Sequence, residues 1–207
     1  MTGPCYICGC KDAVRAKSFP CVRWDIDCPM KDSGLAERQK IRERDLKYLS
    51  LAMTHACLFS KDPSTKVGAV LVNKDKSFEA LGYNGFPRGT DDSAELYSDR
   101  EKKYARVVHA EVNAIAKAGP EARGGTMYVW PLFSCNNCAG LIINSGVKRV
   151  VTPKPLEERW QSAYSVSLEM YKEAGVEVVF FDLWEISAFW RDKQIDWMQF
   201  KNVIPGG

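Results

Sequence analysis

The residues that most constrain this chain are two short motifs, His109-Ala110-Glu111 and Cys135-Asn136-Asn137-Cys138. Each falls where an expected loop or strand runs into an expected helix. A Cys-x-x-Cys turn at a helix start aims two sulfurs at one point, and the helix N-terminus favours the thiolate that a metal ligand must become. One His and two Cys supply three protein ligands and leave a fourth tetrahedral position for water, which marks a catalytic rather than a structural zinc. Zinc lowers the pKa of a bound water from ~16 to about 7. The chemistry then needs a carboxylate that is near the metal but not bound to it. Glu111, two residues past His109, is the candidate that moves the protons. The chain has two histidines, His55 and His109. Only His109 adjoins a candidate acid, and His55 reads as a packed or half-exposed helical histidine.

The surrounding pattern predicts an α/β architecture. From Glu37 the residues Ile41, Leu46, Leu49, Ala52, Met53 and Ala56 approximate one apolar helical face, closed by Lys61-Asp62-Pro63-Ser64. Val67 to Val72 reads as a buried strand, and Phe78 to Tyr83 as its hairpin partner across Asn73–Lys76. The charged segment Thr90–Arg106 carries no readable period. A helix follows from His109 to Ala118, stopped by Gly119-Pro120. Strands at 126–130, 148–152 and 176–181 then alternate with helices at 136–145 and 160–174, the latter ended by Gly175. Leu183 to Phe200, with Trp184, Trp190 and Trp197 among charges, reads as an amphipathic helix.

Length and charge set the outer limits. The 207 residues suffice for one full core plus an appendage. A net charge of +3 is too small to point to nucleic acid and suits an anionic small substrate equally well. No stretch approaches the ~18 apolar residues of a membrane span. Met1-Thr2-Gly3-Pro4-Cys5 lacks the basic-then-apolar order of a signal peptide, so the expected compartment is the cytosol. There the eight cysteines stay reduced and serve metals or the core.

The paired motifs resemble the H-x-E with P-C-x-x-C signature of the zinc nucleobase deaminases, save for its proline. The chain resembles the cytidine/deoxycytidylate deaminase superfamily, and within it the deoxycytidylate (dCMP) deaminases. The resemblance runs over roughly residues 45–181. It is carried by Asp62-Pro63-Ser64-Thr65-Lys66-Val67-Gly68-Ala69-Val70, by Gly82-Tyr83-Asn84-Gly85-Phe86-Pro87-Arg88-Gly89, by His109-Ala110-Glu111-Val112-Asn113-Ala114-Ile115, by Cys135-Asn136-Asn137-Cys138-Ala139 and by Ile142-Ile143-Asn144-Ser145-Gly146-Val147. The metal motifs carry the superfamily; the Gly82–Gly89 stretch favours dCMP.

The resemblance implies a three-layer α/β/α fold around a five-stranded mixed sheet. Residues 1–36, rich in Cys, Pro, Gly and charge, read by composition as a small Cys-rich N-terminal appendage, ahead of a deaminase domain expected at 37–182 and a C-terminal helical tail at 183–207. The implied reaction takes dCMP and water to dUMP and ammonia, supplying thymidylate synthesis. The ligands are His109, Cys135 and Cys138 for Zn2+, with Glu111 catalytic. Asn84 matches the asparagine on the sugar and pyrimidine side of the pocket, and Ser64, Thr65 and Lys66 are candidates for the substrate phosphate. Family members are commonly hexamers regulated by dCTP and dTTP. Gly82, Tyr83, Gly85 and Arg88 fall in the region tied to that effector site, and Arg88 suits a substrate or an effector phosphate.

Two departures stand out. Ser134 precedes Cys135 where the family usually has proline, with Pro131 four residues upstream of the cysteine, and the run Tyr128–Phe133 is one residue longer. Proline there stiffens the turn but gives nothing to the metal, so the ligand set is expected to survive. The first 28 residues also hold Cys5, Cys8, Cys10, Cys21 and Cys28. Cys5-Tyr6-Ile7-Cys8-Gly9-Cys10 resembles a zinc knuckle that Cys21 and Cys28 complete, with Cys10 an alternative to one of the others. Such a site supplies folding energy that a short segment cannot draw from a core. Relatives with a second zinc usually hold it in an insertion after the second strand, yet Thr90–Val108 has neither Cys nor His.

Overall fold

The computed structural model describes residues 34–155 and 161–195. The Cys-rich start, with Cys5, Cys8, Cys10, Cys21 and Cys28, lies outside them, as do Trp197 and the rest of the C-terminus. The helices are α1 (Gly34–Phe59), α2 (Ala94–Ser98), α3 (Arg100–Arg106), α4 (Ala110–Ala118), α5 (Asn136–Asn144), α6 (Gln161–Glu173) and α7 (Leu183–Asp192). The strands are β1 (Gly68–Val72), β2 (Glu79–Tyr83), β3 (Thr126–Trp130), β4 (Arg149–Pro153) and β5 (Glu177–Phe181). Contacts separate Met1–Arg44 from Asp45–Gly207, and the sheet belongs to the second unit.

The strands form one mixed sheet in the order β2-β1-β3-β4-β5. β1 is antiparallel to both β2 and β3, whereas β3, β4 and β5 run parallel. Parallel neighbours need long crossovers, which α5 and α6 provide. Successive side chains in a strand point to opposite faces. Ala69, Leu71, Met127, Val129 and Val150 therefore join a core with Ala110, Ala114, Ala139, Ile142 and Tyr171 from α4, α5 and α6. Val70, Val72, Tyr128, Trp130 and Val151 join Leu49, Ala52, Met53, Ile186 and Trp190 from α1 and α7. Both faces are covered, which is why β1 reads in the sequence as an unbroken apolar run. The result is the three-layer α/β/α arrangement around five strands that the resemblance implied.

Two glycines set the layer spacing on the α1 and α4 sides. A Cβ at Gly68 would lie 2.0 Å from the Ala52 carbonyl oxygen, and one at Gly82 would lie 2.1 Å from that of Ala110. Ion pairing adds direction to the hydrophobic fit. Asp45, buried on α1, accepts two hydrogen bonds from the Arg149 guanidinium at 2.8 and 2.7 Å and one from the Tyr128 hydroxyl at 2.9 Å.

Two segments differ from the expectation. Residues 94–106 fold as α2 and α3, although their sequence has no apolar period; the Asp99 side chain caps α3 by accepting from the Lys102 amide. The helix expected over Leu183–Phe200 stops at Asp192. Gln194 takes φ 56° there, its amide donates to the Arg191 carbonyl, and the Ile195 amide donates to that of Trp190 at 2.7 Å. This is the hydrogen-bond pattern of a Schellman stop, formed here without the usual glycine. The Trp190 ring meets Trp130 with 5.2 Å between centroids, and its Nε1–H donates to Ser50 Oγ at 2.7 Å, fixing α7 to α1.

Candidate metal centre and active cleft

α4 and α5 start side by side under the sheet, and their N-cap residues are His109 and Cys135. Neither side chain makes a capping bond to its own helix. Each is left free to point at the other. His109 Nδ1 lies 3.3 Å from Cys138 Sγ and 3.5 Å from Cys135 Sγ, and the three ligand atoms lie within 4.8 Å of one another. Zinc bonds of ~2.0 Å to nitrogen and ~2.3 Å to sulfur at tetrahedral angles put N and S about 3.5 Å apart. The donor set and its spacing therefore fit a tetrahedral zinc with one position open.

The electrostatics of the trio point the same way. Cys138, placed to donate to Cys135, and His109 beside it bring the Cys135 thiol down to about 4. Cys138 is pushed up by the Cys135 thiolate and by burial. Cys135 also holds the His109 imidazole up against the effect of burial. The pair thus holds one ready thiolate and one proton that a divalent cation can displace.

Glu111, on the first turn of α4, is 4% exposed. Burial raises its carboxyl above the ordinary range, and the neighbouring His109 only partly opposes this. A carboxyl so placed holds a proton more readily than one in water, which suits an acid–base role. Behind it stand two hydroxyls, Ser134 Oγ and Tyr171 Oη, on fully buried residues with no hydrogen-bond partner among the described residues. Neither completes a bond of normal geometry, yet Ser134 is close enough to favour the ionised forms of both Glu111 and Tyr171.

His109, Glu111 and Cys135 open into a cleft. Among the expected site residues, Thr65, Asn84, His109, Glu111 and Cys135 line it. Asn84 is also a brace: its Oδ1 accepts from Ser60 Oγ and the Val67 amide at 2.8 Å each, and its Nδ2 donates to the Thr65 carbonyl at 2.8 Å. Its second amide hydrogen makes only a 3.5 Å contact to Asp62 and is the polar atom it can offer a ligand.

Other expected residues stand elsewhere. Lys66 does not line the cleft; its Nζ donates to the Cys57 carbonyl at the end of α1. Gly82 lies beneath α4, and Gly85 pairs by backbone with Val108. Tyr83 packs with His55 and Phe59, and Arg88 is exposed. None of these four lines the cleft.

The sequence reading missed Asp62 and Lys103, together with the Tyr104, Phe133 and Tyr164 side chains of the cleft wall. Lys103 gives no apolar signal on α3, because the residue that helix turns inward is itself a lysine. Asp62 was visible as a turn former and as the start of the Asp62–Val70 motif, with no role in the site given to it.

The cytidine and deoxycytidylate deaminase zinc-binding region matches residues 42–154. Over 128 residues the chain is 42% identical to an uncharacterized deaminase in the luxG 3′ region of Aliivibrio fischeri, covering 60% of this chain and 85% of that protein. Over 133 residues it is 39% identical to the deoxycytidylate deaminase of Mus musculus, covering 61% and 70%. The crystal structure of dCMP deaminase from the cyanophage S-TIM5 in apo form matches with TM-score 0.52 at 25% identity, over 67% of this chain and 98% of that one.

Proposed function

This chain belongs to the cytidine and deoxycytidylate deaminase family and is a hydrolytic deaminase, and from that premise we propose that its substrate is dCMP and its products are dUMP and ammonia. The observation that carries the proposal is the convergence of His109 Nδ1 and two cysteine sulfurs within 4.8 Å, beside a buried carboxylate in one cleft. The named relatives that act on deoxycytidylate favour the base and the phosphorylation state.

His109, Cys135 and Cys138 would hold a zinc ion, which when bound would make a water nucleophilic at neutral pH. Glu111 takes a proton from the attacking water as the water oxygen bonds to C4 of the base, and passes it to N3. It then carries the second proton to the exocyclic nitrogen, which leaves as ammonia when the C4–N bond breaks. Both transfers use one carboxyl whose burial suits it to hold a proton and release it again. Val67, Phe133 and Tyr164 give the cleft apolar walls for a flat ring.

The wider reading belongs to the same proposal. The enzyme supplies dUMP for dTMP synthesis in the cytoplasm, as a homohexamer responding to dCTP and dTTP through Gly82 and Tyr83 at the end of β2 and Gly85 and Arg88 in the loop that follows. Incubation with dCMP, dCTP, cytidine and a cytosine-containing oligonucleotide tests the substrate. Ammonia release is expected from dCMP above the other three; release from the oligonucleotide alone would overturn the proposal. Adding dCTP or dTTP tests the regulation.

A further inference from the structure

We infer that Lys103 is the residue that recognises the 5′-phosphate of the substrate, and so sets the preference for a nucleotide over a nucleoside. The inference rests on the reading of the substrate as dCMP. Among the described residues lining the cleft, Lys103 is the one lysine or arginine. It is 7% exposed, unlike the exposed Lys102 beside it on α3. Its ammonium donates to Asp62 Oδ1 at 3.1 Å and to Ser64 Oγ at 2.6 Å. An ammonium has three donors, so one remains.

Lys103 and Asp62 form a buried ion pair. Asp62 Oδ1 also accepts from the Ser64 amide and hydroxyl at 2.9 Å each and from the Thr65 amide at 3.1 Å. The turn that Asp62 organises thus holds the Lys103 ammonium in place, and what Lys103 adds to the cleft is a fixed donor. Thr65, whose amide is pinned by that turn, lines the same wall, as do Tyr104 and Val107. A fixed ammonium with a spare donor beside a threonine is a built anion subsite, and it shares a cleft with His109, Glu111 and Cys135. Lys66, bonded to the Cys57 carbonyl and outside the cleft wall, has no such placement.

The test is the ratio of kcat/KM for dCMP to that for deoxycytidine, with zinc content measured in every preparation. Wild-type protein that shows no turnover of dCMP would sink the underlying substrate reading before any variant is compared. Given turnover, Lys103→Met is expected to lower the ratio by roughly 10- to 100-fold, the worth of a charged hydrogen bond. Because that variant leaves the Asp62 carboxylate facing the phosphate, Asp62→Asn/Lys103→Met removes both charges, and the fall in ratio is expected to persist. Recovery of the wild-type ratio in the double variant, an unchanged ratio, or equal losses on both substrates would overturn the inference. Lys103→Arg keeps the Asp62 pair and guards against failure to fold. Its inhibition constant for inorganic phosphate against dCMP is expected to shift by about threefold or more, and an identical constant counts against Lys103.

Discussion

Glu111 and Ser134 show how single residues divide the labour beside the metal trio. Glu111 is buried, and a carboxylate hidden from water is a cost that the proposed acid–base role accounts for. Ser134 occupies the position before Cys135, and its fully buried hydroxyl has no partner of normal geometry among the described residues. An orphaned buried hydroxyl costs about 1–3 kcal/mol. Ser134→Ala is therefore expected to keep its zinc and to melt no lower than the wild type, as read by metal analysis and calorimetry. A loss of several degrees would mean that the hydroxyl is hydrogen-bonded in solution. The convergence of His109, Cys135 and Cys138 was legible in the sequence because their spacing carries meaning without a fold. The Ser134–Tyr171 pair was not, since it depends on α6 folding back over the strand that leads to Cys135.

At the scale of elements, the site depends on how closely α4 lies on β2. Gly82→Ala places a methyl 2.1 Å from the Ala110 carbonyl oxygen and 2.6 Å from the Ala114 amide, so α4 must shift and carry His109 and Glu111 with it. The expected cost is about 1–3 kcal/mol, a fall in melting temperature of several degrees, with weaker zinc retention under chelator. Gly140→Ala is the matched control. Its new methyl meets only Met170 Cε at 3.6 Å, and a helix-interior glycine replaced by alanine gains roughly 0.5–1 kcal/mol.

α1 offers a pH readout. Burial, with Lys117 adding to it, holds the His55 imidazole below its usual value, and its Nε2 is buried without a partner among the described residues. Folding therefore favours the neutral ring. Its contribution is full above the unfolded value of about 6.5 and is lost as the pH falls from there towards the folded value. Melting curves between about pH 7.5 and 5 are expected to fall more steeply for the wild type than for His55→Phe. Equal slopes would assign the acid loss to other groups.

Across the whole molecule, the three layers were legible because every strand is bounded by turn residues and backed by a helix of readable period. What escaped was set by tertiary contacts. α2 and α3 carry few apolar residues and are fixed by the Phe86–Tyr97 ring stack at 4.2 Å and by the buried Asp62–Lys103 pair. α7 ends where Ile195 folds back onto Trp190, with no glycine to announce it. Those same contacts place Lys103 in the cleft, so the part of the site hardest to read is the part assigned to the phosphate.

The most direct measurement compares zinc-replete wild type with Glu111→Gln on dCMP, following ammonia release and counting bound zinc. The wild type is expected to turn over dCMP, and the variant to lose about 10²- to 10⁴-fold in kcat with its zinc retained. Full turnover by Glu111→Gln, or a zinc-loaded wild type that releases no ammonia from dCMP, would contradict the account.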